Sequence, residues 1–182
     1  MTRPSPSDDQ LGAWVAGTVQ RALAYAVTLV RNQTEAEDIV HDCYIRLLVR
    51  SDHYDLPSDG TKLLFRSITN ACINWTQRRP PLVSLEAAEQ GSGADRLSLA
   101  DKADADPEHR AIRGELEAAV AEALAELPVA QRAIVELRSL GHSMVEVADI
   151  LEISHANARV VLHRARRTLA TRLRPFIEDH LT

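Results

Sequence analysis

Six arginines, Arg159, Arg164, Arg166, Arg167, Arg172 and Arg174, fall between residues 154 and 177 with no acidic residue among them. A guanidinium is a planar fork of donors that matches phosphate, or the O6/N7 edge of guanine, so such a run suits a polyanion. Short polar residues precede it. Ser154, His155 and Asn157 stand where a helix would begin, and a helix that enters the major groove reads base edges with its first turns. Arg159 can then bond a guanine bidentately and Asn157 an adenine or a phosphate, with Arg164, Arg166 and Arg167 following on the same helix. The bland alternative is a helical hairpin whose arginines complement the negative end of the helix dipole, but six cations without one acid exceed what a helix end needs.

Two further stripes carry groups that an isolated helix does not require. Arg66, Asn70, Asn74, Gln77 and Arg78 share one face of a helical segment, and asparagine is a poor helix-interior residue. Amides and guanidinium groups are what base edges and phosphates are read with, although a solvated polar face would look the same. Glu37, Asp38, His41, Asp42 and Ile45 form a mostly acidic face on another segment, open to either reading: a solvated surface or a partner's docking surface. Catalytic chemistry finds no foothold. There is no glycine-rich phosphate loop, no Ser/His/Asp set and no ligand cluster, and the seven histidines are scattered. Cys43 and Cys72 lie on or beside apolar stripes and read as small core residues. Neither a catalytic residue, a cofactor nor a metal is expected, and the chain is not expected to be an enzyme.

The elements that carry these stripes are helices. Between 11 and 31, Leu11, Val15, Val19, Ala22, Ala26 and Leu29 recur in steps of three and four and define one helix face. Thr34-x-x-Glu37 reads as a capping box opening a second helix to about residue 50, with Ile39, Val40, Cys43, Tyr44, Leu47 and Leu48 inward. A third is predicted over 62–78, after a polar break containing Pro57 and Gly60, with Leu64, Ile68, Ala71 and Trp75 on its buried side. Farther on, 111–126 shows Ile112, Leu116, Val120 and Leu124 on one side. A helix then follows Leu127-Pro128 and ends near Gly141, with Ile134 and Leu137 inward. Ser143 and Glu146 form another capping box, for a helix whose apolar face is Met144, Val147, Ala148 and Leu151. After a break at 152–154, Ser154 caps a long basic helix, 155 to about 174, with Leu162, Ala165, Leu169 and Leu173 inward. Short helix, tight turn and capped second helix are the spacing of a helix-turn-helix.

Composition supports an all-α fold. Of 182 residues 45% are apolar and only 4% aromatic, and Pro and Gly are absent from 18–56, 61–79, 115–127 and 142–174. Strand-built folds need turn residues every 8 to 12 positions or so, which excludes a sandwich or barrel. No apolar run approaches the roughly 18 to 20 residues that cross a bilayer, and the first residues lack a basic flank followed by an apolar core, so no membrane insertion and a cytoplasmic location are expected. The net charge of −5 is unevenly spread: neutral over 1–80, −7 over 81–127 and +2 over 128–182. The stretch from 81 to 110 holds prolines, glycines, serines and aspartates with few apolar residues, and reads as a flexible acidic linker. The expected organisation is two small helical domains, 10–80 and 111–177, the second a helix-turn-helix, joined by that linker.

Taken together, the two halves make the sequence resemble the extracytoplasmic-function (ECF) group of bacterial sigma factors, promoter-specificity subunits of RNA polymerase. EAEDIVHDCYIRL (35–47) looks like the family's Ala-Glu-Asp-x-x-Gln helix that grips the polymerase's largest subunit, and LFRSITNACINWTQRR (64–79) like its minus-ten helix. ELPVAQRAIVELRSLGHSMVEVADILEISHANARVVLHRARRTL (126–169) is similar to the minus-thirty-five helix-turn-helix, most specifically in its Leu-Pro-x-x-x-Arg opening and its closing His-Arg-Ala-Arg. The resemblance implies core-polymerase contacts at Glu37, Asp38, His41, Asp42 and Ile45, His41 standing where Gln is usual. It implies minus-ten contacts at Lys62, Arg66, Asn70, Asn74, Gln77, Arg78 and Arg79, with loop 51–61 capturing a flipped-out base. It implies minus-thirty-five contacts at Ser154, His155, Asn157, Arg159, Arg164, Arg166 and Arg167, with Asn157-Ala158-Arg159 replacing the frequent Thr-Val-Lys. The implied partners are core RNA polymerase, promoter DNA and an anti-sigma factor. Two rivals remain. A sigma-like mimic that only sequesters an anti-sigma factor has no use for the basic helix, and a stand-alone helix-turn-helix regulator leaves the first half of the chain unexplained.

Overall fold

The computed structural model describes residues 7–78 and 107–180, and among these every regular element is helical. The first module is α1 (Asp8–Val30), α2 (Gln33–Val49), a single 3-10 turn (Ser51–His53) and α3 (Leu56–Arg78). The second is α4 (Pro107–Ala125), α5 (Val129–Ser139), α6 (Met144–Ile150) and α7 (His155–His180). Of the expected linker, residues 81–106 lie outside the described residues, and 107–110 form the first turn of α4.

Local chemistry sets the helix ends. Ser7 and Gln10 close a capping box at the start of α1, and Arg31 turns the chain through the left-handed region (φ 56°), its N–H bonded to the Val27 carbonyl at 2.7 Å. The cap of α2 is Asn32, whose side chain accepts from the Glu35 amide at 3.0 Å, and not the anticipated Thr34/Glu37 box. Asparagine is among the strongest N-caps, and standing two residues upstream it starts the helix first. Glu37 instead takes the amide of Gln33, one turn back. Helix α3 begins six residues before the expected 62, because Asp55 accepts from the Ser58 amide at 3.3 Å and a proline in the first turn gives up no helical hydrogen bond. Half of the expected loop 51–61 is therefore helix. Gly60 does not break it: the indole of Trp14 lies against this position, and a Cβ here would sit 2.9 Å from Trp14 Cε2.

Helix α1 buries Trp14, Thr18, Ala22, Tyr25, Ala26 and Leu29, whereas Leu11, Val15 and Val19 of the anticipated stripe are only partly buried. Two buried hydroxyl pairs fix its neighbours. Thr18 gives its proton to the Trp14 carbonyl (2.7 Å) and so accepts from the Tyr44 hydroxyl (2.7 Å), while Thr69, bonded to the Phe65 carbonyl, accepts likewise from Tyr25. Tyr25 packs edge-on against Phe65 and Trp14 against Tyr44, at centroid separations of 5.2 and 5.4 Å. In the second module Ile134 and Leu137 of α5, Val147, Ala148 and Ile150 of α6, and Ala158, Leu162 and Ala165 of α7 are buried. The expected inward stripe of α4 is only half used. Ile112 and Leu116 are 39% and 42% exposed, whereas Ala123, near the end of the helix, is buried, as is Leu127 just beyond it.

The two modules pack face to face, α1 and α3 against α5 and α6, and their cores join in one cluster. The junction turns on Arg132. Its guanidinium donates to five carbonyls: Leu124, Ala125 and Leu127 at the end of α4, and Thr28 and Leu29 at the end of α1, at 2.9 to 3.1 Å. Burial and the Arg31 charge pull its pKa down to about 10, against the pull of Glu136, so it stays cationic at neutral pH. Nearby, Arg21 bonds the Leu140 carbonyl (2.9 Å), and the Phe65 ring meets His142 edge-on at 5.3 Å.

Gly60→Ala is expected to destabilise the chain by about 1–3 kcal/mol through overpacking against Trp14, read as a lower urea midpoint followed by tryptophan fluorescence. The second expectation concerns pH. Burial depresses the pKa of His142, with the Arg21 charge acting in the same direction and Glu146 opposing. A depressed folded pKa contributes stability that is present above the ordinary value of about 6.5 and is lost as the pH falls through the folded value. The urea midpoint should therefore fall between about pH 7.5 and 5.5 more steeply in the wild type than in His142→Phe, and parallel curves would contradict it.

Candidate polymerase and promoter interfaces

The helix-turn-helix is built as its caps and apolar spacing require. Ser143 and Glu146 cap α6 reciprocally at 3.2 and 2.7 Å, and these bonds hold the Glu146 carboxyl below its usual pKa. The turn passes through Glu152 in the left-handed region (φ 55°), the Ile153 amide returns to the Ala148 carbonyl (3.0 Å), and Ser154 Oγ accepts from the Asn157 amide (3.2 Å) to start α7. With Ala158, Leu162 and Ala165 turned inward, His155, Asn157, Arg159, Arg164, Arg166 and Arg167 are all exposed on the opposite side, as is the cap Ser154. Those four arginines pair with no acid among the described residues. Arg172 and Arg174 are used otherwise: they bridge Glu126 and Glu178, each at 2.6 Å.

The amide stripe on α3 divides in two. Asn70, Asn74, Gln77 and Arg78 are exposed, while Arg79 lies outside the described residues. Asn74 and Arg78 line a shallow groove with Asp42 and Arg46 of α2, and the Trp75 indole N–H ties the two helices by donating to Glu35 at 2.8 Å. Lys62 and Arg66, at the other end of the stripe, are half-buried against the second module. Lys62 bonds the Asp149 carboxylate at 2.7 Å, and Arg66 reaches the Glu152 carboxylate (3.4 Å) and the Asp149 carbonyl (2.5 Å). Lys62 lowers the Asp149 pKa by bonding its charged form.

On α2, Glu37, Asp38, His41, Asp42 and Ile45 are exposed together, Asp42 with Arg46 one turn on at 3.6 Å. What sequence spacing missed is their neighbour. Glu37, His41 and Ile45 rim a groove of about 390 Å³ between α1 and α2 whose walls include Val15, Val19 and Leu23. The apolar face of α1 is thus wider than one core needs: Trp14, Thr18 and Tyr25 fill the core, and Val15 and Val19 are left to line an open cleft. Ile45 and Val49, 46% and 78% exposed, were the visible sign of an apolar surface on this side. Cys43 and Cys72 are buried, and burial pushes their thiols to about 11 and about 12, far from a reactive thiolate at neutral pH. Among the described residues no helix is long and apolar enough to cross a membrane.

Comparison with known proteins agrees with this geometry. Residues 14–79 match Sigma-70 region 2 and residues 117–169 match Sigma-70 region 4, one in each module. The chain is 28% identical over 150 residues to the ECF RNA polymerase sigma factor SigW of Bacillus subtilis, covering 80% of this chain and 79% of the relative. It is 27% identical over 165 residues to the RNA polymerase sigma-H factor of Pseudomonas aeruginosa, covering 87% and 83%. Its fold is that of CnrH, solved in complex with the cytosolic domain of CnrY (TM-score 0.61, 19% identity, 94% of this chain and 92% of that one). It is also that of the sigma factor RpoE from Bartonella quintana, solved with the anti-sigma factor NepR (TM-score 0.60, 21% identity, 91% and 95%). With a region 2 module, a region 4 helix-turn-helix and sigma-factor relatives along most of its length, the chain belongs to the ECF group of the sigma-70 family, the non-enzymatic subunits that give RNA polymerase its promoters.

Proposed function

We propose that the chain acts in the cytoplasm and divides its work among three surfaces: the α2 face and its adjoining groove dock on core RNA polymerase, α3 binds the opened minus-ten strand, and α7 reads the minus-thirty-five duplex. The observation that carries this is the state of α7. In a chain of net charge −5, Arg159, Arg164, Arg166 and Arg167 stand exposed without an acid partner among the described residues, behind a polar first turn with Asn157. A cationic face kept clear of acids in an acidic protein suits phosphate neutralisation with base readout at the helix start. The exposed amides Asn70, Asn74 and Gln77 on α3, with Lys62, Arg66, Arg78 and Arg79, suit an unpaired strand whose bases are accessible. Capture of such bases offsets an unpairing cost of roughly a few kcal/mol each.

The polymerase surface has a different chemistry. A groove with aliphatic walls and a rim of Glu37, His41 and Ile45, beside Asp38 and Asp42, suits an amphipathic helix that brings apolar anchors and flanking cations. Held on polymerase, the two modules meet the promoter at high effective concentration, which replaces the affinity that neither has alone. An anti-sigma factor is the natural protein partner of the free chain, a reading supported by the complex in which RpoE was solved. The exposed basic face of α7 argues against a mimic that binds only such an inhibitor.

Sequencing the transcripts made by core polymerase reconstituted with this chain tests the whole reading; a polymerase with no preferred start site would refute it. At the promoter so identified, Arg159→Ala or Asn157→Ala is expected to cost about 1–3 kcal/mol of discrimination, roughly five- to a hundredfold in promoter-specific run-off transcription, with core binding unchanged. Asp38→Arg should weaken association with core polymerase in a pull-down titration while leaving the thermal unfolding midpoint within about a degree or two of wild type. Normal transcription by both α7 variants would remove the recognition-helix assignment, and unchanged affinity of Asp38→Arg the docking assignment.

A further inference from the structure

One residue on the open side of α7 does not belong to a purely cationic surface. Val160 is 47% exposed, whereas its neighbour Val161 packs against the core. At about 100° of turn per residue, Ala156, Val160, His163 and Arg167 fall in one row at steps of four, three and four, on the side of the helix away from the buried Ala158, Leu162 and Ala165. Arg159 and Arg166 flank the row on one side, Asn157 and Arg164 on the other. Val160 therefore stands in the middle of the exposed face, between cations, with Ala156 one turn before it. From 154 to 167 these two are the only exposed aliphatic residues. The helix itself does not select a valine there: a β-branched residue loses rotamer freedom in a helix, and a solvated position is better served by alanine, lysine or arginine.

DNA supplies the missing reason. When the flanking cations meet the phosphate walls of the major groove, the middle of the face looks onto the groove floor. Base edges there offer donors and acceptors and one apolar group, the C5-methyl of thymine. Against a guanine or cytosine edge an aliphatic side chain would displace water from a polar group and return no hydrogen bond. Against the methyl it removes apolar surface of both partners from water. We propose that Val160 is a specificity-determining residue that takes a thymine methyl in the minus-thirty-five element, Ala156 extending the same apolar strip. The inference rests on α7 as the duplex-reading helix and adds one base to what that helix selects.

The test removes the methyl and nothing else. In the promoter identified by transcript sequencing, each thymine of the minus-thirty-five element, on either strand, is replaced singly by uracil, and run-off transcription by polymerase reconstituted with the full chain is measured. One such replacement is expected to lower wild-type transcription about fourfold, the weight of one methyl group returned to water. Val160→Ala should transcribe the thymine promoter at about that reduced level and show no further loss with uracil, alanine being the better helix former, so that α7 stays intact. Val145→Ala truncates an equally open valine of α6, 60% exposed, and should keep the full thymine-to-uracil ratio. Arg159→Ala should transcribe less but keep that ratio too. Indifference of the wild type to every uracil, or an undiminished ratio in Val160→Ala, overturns the proposal while start-site choice stands. A chain that directs no start site refutes the reading of α7 and this inference with it.

Discussion

A single guanidinium joins two helix ends inside the molecule. The last carbonyls of any α-helix lack intrahelical donors and carry the negative end of its dipole, and in this chain the ends of α1 and α4 are brought together in the interior. Arg132 answers both with one side chain, giving all five of its N–H bonds to carbonyls and bringing a positive charge to two negative helix ends. Removing a guanidinium from water costs several kcal/mol, and only so complete a set of acceptors offsets it. The consequence is directional. With Arg132 fixed against α1, the far end of α5 carries Leu140 to Arg21 and His142 to Phe65, and the chain then turns into α6 so that Asp149 and Glu152 face α3.

How much of this was legible follows from the range of each interaction. The Ser143/Glu146 cap, the Ser154 cap and the inward Ile134, Leu137, Leu162 and Ala165 act within a turn or two of the chain, and all stand as their spacing predicts. Where two local signals compete, the stronger one sets the end: Asn32 outranks Thr34 as a cap, and Asp55 starts α3 within a stretch whose composition is that of a polar break. Gly60 reads as a helix breaker until Trp14 is placed against it. On α1 the expected Ala22, Ala26 and Leu29 are buried, but the apolar residues cover more than one stripe, and periodicity alone does not say which stripe enters the core and which lines the α1–α2 groove.

The candidate surfaces were legible in kind more than in state. Charge type and helix register are local properties, so the exposed residues of α7 and α2 are where the sequence puts them. Which of the α3 cations is free depends on residues more than eighty positions away, and no spacing rule reaches that far. Arg132 illustrates the same limit. It was visible as the last letter of Leu-Pro-x-x-x-Arg, but its reach to Thr28 and Leu29 is a property of the packed pair of modules.

Charge bookkeeping explains why such a molecule should be a poor DNA-binding protein alone. Each phosphate neutralised releases about 0.9 of a counterion from duplex DNA, so if the four α7 arginines that pair with no acid among the described residues each met one phosphate, the salt slope would be only about −4 and non-specific binding correspondingly weak. Arg172 and Arg174 add little, each paired with a glutamate, and Lys62 and Arg66 are spent on the helix-turn-helix. A net charge of −5 opposes any further approach to a polyanion. Weak intrinsic affinity is what a specificity subunit requires: a freely diffusing chain that bound promoters tightly would occupy them without polymerase, whereas one with few free cations relies on the larger enzyme for the missing affinity and the spacing together.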